Sequence, residues 1–91
     1  MKTITKEKLS KYFKITKEAL EIAKKNINKN RKSDAKEIIE MVSNYVSDAK
    51  HFKGKGDFVN AFAAINYAHG WLDSGARLEI FNVKDNKLFT V

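Results

Sequence analysis

The sequence predicts an all-α domain: an antiparallel three-helix bundle with a non-helical C-terminal tail packed on it. Three observations predict this. None of the 91 residues is proline, and proline costs about 3 kcal/mol in a helix interior. Apolar residues recur at spacings of three and four along three successive stretches, the period of a helix with one buried face. Short polar breaks separate the stretches, and short connections favour antiparallel neighbours. A chain of this length builds one core, so residues 1–91 form a single domain, with helices at about 5–28, 34–53 and 57–80 and a tail at 81–91.

The first stretch carries Leu9, Tyr12, Phe13, Thr16, Ala19, Leu20, Ala23 and Ile27 on one face. Thr5 is its expected N-cap, and Glu7 suits the positive end of the helix dipole. The run from Asn26 to Lys32 loses the apolar pattern and reads as the helix end and first turn. Asp34 is the expected N-cap of the second stretch, with Glu37 three residues on. Its apolar face is Ala35, Ile38, Ile39, Val42, Tyr45, Val46, Ala49 and Phe52, and Gly54 is expected to end it.

The third stretch opens at Asp57, a further expected N-cap. Phe58, Ala61, Phe62, Ile65, Ala68, His69, Leu72 and Ala76 face the core. Ala64, Tyr67, Trp71 and Leu78 form a second apolar stripe, with a strip of small residues (Ala63, Gly70 and Ser74) beside it. In the tail, Asp85–Asn86 is a turn signal between apolar flanks. Either a short hairpin or an extended strap fits. An isolated two-stranded hairpin is marginal in water, which favours a strap anchored by Leu88, Phe89 and Val91.

Composition narrows the function classes. The absence of cysteine excludes disulfides, thiolate metal sites and cysteine nucleophiles, and suits a reducing cytoplasm. No apolar run approaches the roughly 18 residues of a membrane span. The lysine-rich N-terminus, residues 1–14, is not followed by the apolar core of a signal peptide. The expectation is a cytoplasmic protein with no membrane partner.

The net charge of +7 is unevenly spread. Up to Lys32 there are 11 basic and 3 acidic residues; from Ser33 onward there are 7 and 8. The basic first segment makes nucleic acid a candidate partner. Against this, 16 of the 18 basic residues are lysine, and recognition of bases and phosphates often uses the arginine fork.

No catalytic or metal motif stands out. Asp48 with His51, and His69 with Asp73, read as hydrogen-bonded neighbours on a helix rather than ligands, since a metal site needs three or four converging groups. Ser74, Asp73 and His69 on one helix do not make a triad. An enzyme built on His69, Asp73 and Arg77 would need a cleft that three helices rarely provide. The expectation is therefore no enzyme, no metal and no cofactor.

Two surfaces remain as candidates. The loop Lys53, Gly54, Lys55 and Gly56 places glycine N–H groups and two lysines before a helix, a setting that attracts anions. A tight turn with capping residues explains the same loop, and Asp57 would repel a phosphate. The second surface is the outer stripe of the third helix: Tyr67, Gly70, Trp71, Ser74, Arg77 and Leu78. Trp and Tyr are typical interface anchors. Either the tail covers them, or they meet a protein partner or a second copy in a homodimer.

The run from Phe52 to Val91, above all its core KGDFVNAFAAINYAHGWLD, the following Gly75-Ala-Arg77 and the closing LFTV, resembles the archaeal family called domain of unknown function 357. The resemblance covers nearly the whole chain. It implies a cytoplasmic archaeal protein with a compact three-helix bundle and no established activity. Relatives in which a similar domain is attached to a nucleotidyltransferase-like domain suit an accessory or binding module. The residues that carry the family character, from Gly54, Gly56, Asp57 and Asn60 to Tyr67, His69, Gly70, Trp71, Asp73 and Arg77, have no assigned role. The leading expectation is a non-catalytic protein-interaction or accessory module. The alternative is nucleic-acid or nucleotide-phosphate binding through the first helix or the Lys53–Asp57 loop.

Overall fold

The computed structural model describes residues 4–89, and among these the regular elements are three helices. They are α1 (Lys6–Lys25), α2 (Lys32–Gly54) and α3 (Phe58–Arg77), packed as a three-helix bundle. The principal extents are 43 × 23 × 18 Å.

Each helix begins and ends for an identifiable reason. The Thr5 side chain accepts the Lys8 N–H at 3.1 Å, the expected N-cap. The helix stops earlier than the apolar pattern suggests, at Lys25, because Asn26 leaves helical geometry and donates its side-chain amide to the Ile22 carbonyl at 2.7 Å. Ile27 thus lies outside α1 and forms an isolated antiparallel bridge with Phe81.

The expected Asp34 cap does not form. The turn from Asn28 runs straight into helix, with Arg31 at the cap position and no side-chain cap bond. Asp34 lies in the first turn, where it still favours the helix dipole and accepts from Arg31 Nε at 2.8 Å.

The α2–α3 connection corrects the glycine assignment. Gly54 remains helical; Gly56, at φ 76°, takes the left-handed position. The Asp57 N–H reaches the Phe52 carbonyl at 2.9 Å, and the Gly56 N–H reaches that of Lys53 at 3.0 Å. That is a Schellman closure. Asp57 then caps α3 by accepting the Asn60 N–H at 3.2 Å, as its position predicts.

A second Schellman closure ends α3 at Arg77, short of the expected 80. Ile80 N–H reaches the Gly75 carbonyl at 2.8 Å and Glu79 N–H that of Ala76 at 3.1 Å. Here the left-handed residue is Glu79, at φ 60°.

The helix α3 is the central element; it packs on both others, while α1 and α2 hardly touch. The contact with α2 is the more extensive, and small buried residues allow it: Ala61, Ala64, Ala68, Gly75 and Ala76 on α3, Ala35 and Ala49 on α2. On the other side Leu9, Phe13 and Leu20 of α1 join the same core as Ile65 and Leu72.

The tail is a strap, not a hairpin. Asn28 and Asn82 N–H groups bond the Ile80 and Asn26 carbonyls, at 2.9 and 2.7 Å, and pin its start against the α1–α2 turn. Phe81 is fully buried. Asp85 then turns the chain by accepting the Lys87 and Leu88 N–H groups. Phe89 is buried, Leu88 partly so; the expected anchor Val91 lies outside the described residues.

Candidate functional site

The path of the tail decides what α3 leaves exposed. His69 points toward α1 and the tail: its Nδ1 lies 3.1 Å from the Thr16 hydroxyl and its Nε2 lies 2.7 Å from the Leu88 carbonyl oxygen. A carbonyl only accepts, so Nε2 carries the hydrogen; in the neutral ring Nδ1 then accepts from Thr16. Asp73 Oδ1 stands 3.6 Å from Nε2 and reinforces that tautomer. Both ring nitrogens are committed to holding α1, α3 and the tail together. Among the described residues, no group of three or more His, Cys, Asp or Glu side chains is placed to hold a metal ion.

Because the strap runs on the His69 side, its described residues do not cover the outer stripe. Tyr67 is 63% exposed, Trp71 39% and Leu78 61%. Tyr67 stacks on Tyr45 of α2, ring centroids 5.5 Å apart and planes 14° from parallel. Tyr67, Gly70, Trp71 and Ser74 come together with Ala63 and Asn66 in one shallow groove. A Cβ on Gly70 would meet nothing within 4 Å, so the floor of the groove is open. The Ser74 hydroxyl donates back to the Gly70 carbonyl at 2.9 Å, which turns its polarity inward.

The other two residues of the predicted surface fall elsewhere. Arg77 lines a separate recess with Glu79, Asn82 and Lys84 beside the start of the tail, and Leu78 stands just past the helix end. Ala64, assigned to the outer stripe by spacing, is buried. Conversely, exposed Met41 on α2 extends the apolar area, and half-buried Tyr45 stands one turn on at its edge. Met41 lines a small recess with Trp71. Their i and i+4 spacing marks them as one side of α2, but only the packing of α2 on α3 shows that this side adjoins Trp71.

The Lys53–Gly56 loop does not cradle an anion with its backbone. The N–H groups of Lys55, Gly56 and Asp57 are all spent on α2 carbonyls, and the Asp57 carboxylate occupies the start of α3. Lys53, Gly54 and Gly56 instead line a broader furrow between α1 and α2, and Lys55 does not. The Lys53 ammonium sits 5.1 Å from the centroid of the Phe13 ring.

No helix among the described residues is long and apolar enough to cross a membrane. The family described as protein of unknown function DUF357 has a model that matches residues 11–81, and the chain belongs to that family. Comparison with curated proteins and with solved structures returns no match.

Proposed function

We propose that this member of the DUF357 family is a non-catalytic protein-interaction module whose docking face is the outer side of α3. The observation that carries the reading is the exposure of Tyr67 and Trp71 on a helix whose opposite side already holds the core and the tail. Large aromatic side chains left in water are costly to keep there and are typical anchors of interfaces.

The occupant the face suits is an α-helix of another protein, and first of all a second copy of this chain. The small residues Ala63, Gly70 and Ser74 let a helix backbone approach closely, while Tyr67 and Trp71 supply area at its flank. The groove residues include no charged side chain. Two copies of a protein of charge +7 can therefore meet there without opposing like charges. A two-fold contact uses the same patch twice, which an uncharged strip allows.

The non-catalytic part rests on His69, whose two ring nitrogens are engaged by Thr16 and Leu88. A histidine so held has no free nitrogen to present to a substrate.

Light scattering across a concentration series, with Trp71 emission followed in parallel, tests the proposal. The expected result is a mass rising toward twice the monomer with a blue shift of Trp71, both abolished in Tyr67→Ala. A constant monomer mass with unchanged emission to the highest concentration reached would remove the second copy as occupant.

A further inference from the structure

Because α1 and α2 each pack on α3 but hardly on one another, a furrow of about 890 Å³ remains between them. Lys14 and Lys17 line it from α1, Lys50 and Lys53 from the last turns of α2. Lys6 extends the basic wall toward the start of α1, and Phe13 and Phe58 supply its apolar part. Glu18 is the one carboxylate among the described lining residues. The furrow does not end there. Lys17 and Lys50 also line the next recess along the helices, which Ser43 and Ser47 border and where Glu21 already pairs with Lys24 at 3.5 Å.

None of Lys14, Lys17, Lys50 and Lys53 forms an ion pair among the described residues. Lys17 holds its proton less firmly than an ordinary lysine, first because the Lys50 ammonium faces it, then through partial desolvation and Lys53. Like charges gathered without counter-charges destabilise a fold, and an anion placed among them offsets that cost.

We infer that the furrow between α1 and α2 binds the phosphate backbone of a single-stranded nucleic acid without reading its sequence. Three features favour this occupant. The charges form a track rather than one cluster: Lys6 and Lys17 are eleven residues apart on α1, roughly 16 Å along the axis. They are all lysines, point charges that neutralise phosphates but lack the fork that reads bases. Phe58 lies half-buried at the furrow's edge, a ring on which a base can stack, and stacking on aromatic rings beside a basic track holds single strands independently of sequence. The furrow is separate from the α3 groove, so this inference and the docking face stand or fall independently.

The test is fluorescence anisotropy of a short labelled oligothymidylate, and of the matching oligouridylate, titrated with the whole protein over a range of salt. Both strands should bind, with a slope of log affinity on log salt of about −3 for four lysines. Lys17→Gln/Lys50→Gln should flatten the slope by about 1.4 and weaken binding roughly tenfold at low salt. Lys25→Gln/Lys29→Gln, which removes the same charge outside the furrow, should change affinity by less than about twofold. ATP and inorganic triphosphate should compete only weakly.

Three results would overturn the inference. One is no binding at low salt. Another is equal loss in both lysine pairs, the mark of diffuse charge attraction. The third is competition by ATP or triphosphate as strong, per phosphate, as by the oligonucleotide, the mark of a compact phosphate site. Circular dichroism verifies that each variant is helical, and Lys50→Gln alone, with half the slope change, serves if the double variant does not fold.

Discussion

The edge of the Phe81 ring, at Cε2 and Cδ2, lies 2.5 and 2.6 Å from the point where a Cβ on Gly75 would stand. The aromatic ring that locks the tail's first residues into the core therefore needs a helical residue with no side chain beneath it. The Phe81 N–H also reaches the Gly75 carbonyl at 3.2 Å, so ring and backbone converge on one position. Gly75→Ala forces the ring or the helix to move. The expected cost is about 2 kcal/mol or more, read as a lowered midpoint in urea; an unchanged midpoint would show that the ring repacks freely.

Thr16 and His69 make a parallel prediction. Thr16 is 1% exposed and its hydroxyl meets His69 Nδ1. Thr16→Val keeps the shape but leaves that nitrogen without its partner, at a cost of about 1–2 kcal/mol. Thr16→Ser keeps the bond and should lose less than valine does. Urea unfolding of the two variants side by side makes the comparison.

Glu79 pays a conformational penalty. It occupies the left-handed position, φ 60°, of the closure that ends α3, where glycine carries no Cβ penalty. Glu79→Gly should stabilise the protein by about 1 kcal/mol, reduced somewhat by the freer unfolded chain. Its carbonyl, which accepts from the Asn28 side chain at 2.8 Å, is retained. Thermal unfolding reads the gain as an increase of Tm of about 4 °C or more.

The facing ammoniums of Lys17 and Lys50 predict a pH and salt dependence. The folded chain releases the Lys17 proton below the ordinary value of 10.5 that the unfolded chain keeps. Between the two values the unfolded state binds more protons, so stability rises as pH climbs through the interval just below 10.5. Lys17→Gln should remove that rise and raise stability at neutral pH in low salt. The gain should shrink as salt screens the pair. A variant no more stable than the parent at low salt would contradict this.

The helices were readable because their faces follow the 3.6-residue period and because Thr5 and Asp57 cap them locally. What escaped is what depends on contacts distant in sequence. Ile27 fits the α1 pattern, yet it is drawn into a bridge with Phe81. Gly54 and Gly56 are equivalent by composition, and only the Asp57 N–H reaching back to Phe52 shows which of them turns the chain. Tyr67 and Trp71 were legible as a second stripe, but whether the tail covers them depends on the side it takes. His69, bonded to Leu88, marks that side. The lysine furrow was the least legible feature, since Lys17 and Lys50 belong to different helices and meet because α1 and α2 leave space between them.

The chain contains no cysteine, so a single introduced thiol reports one surface without background. Gly70→Cys puts that thiol at the middle of the small-residue strip, where a side chain meets nothing within 4 Å. If α3 docks a second copy, a short bis-maleimide reagent should link Gly70→Cys into a covalent dimer in dilute solution. Lys11→Cys on α1 should stay monomeric, and Tyr67→Ala in the Gly70→Cys background should suppress the link. Equal cross-linking at positions 70 and 11, or none at position 70, would contradict the assignment of the α3 face.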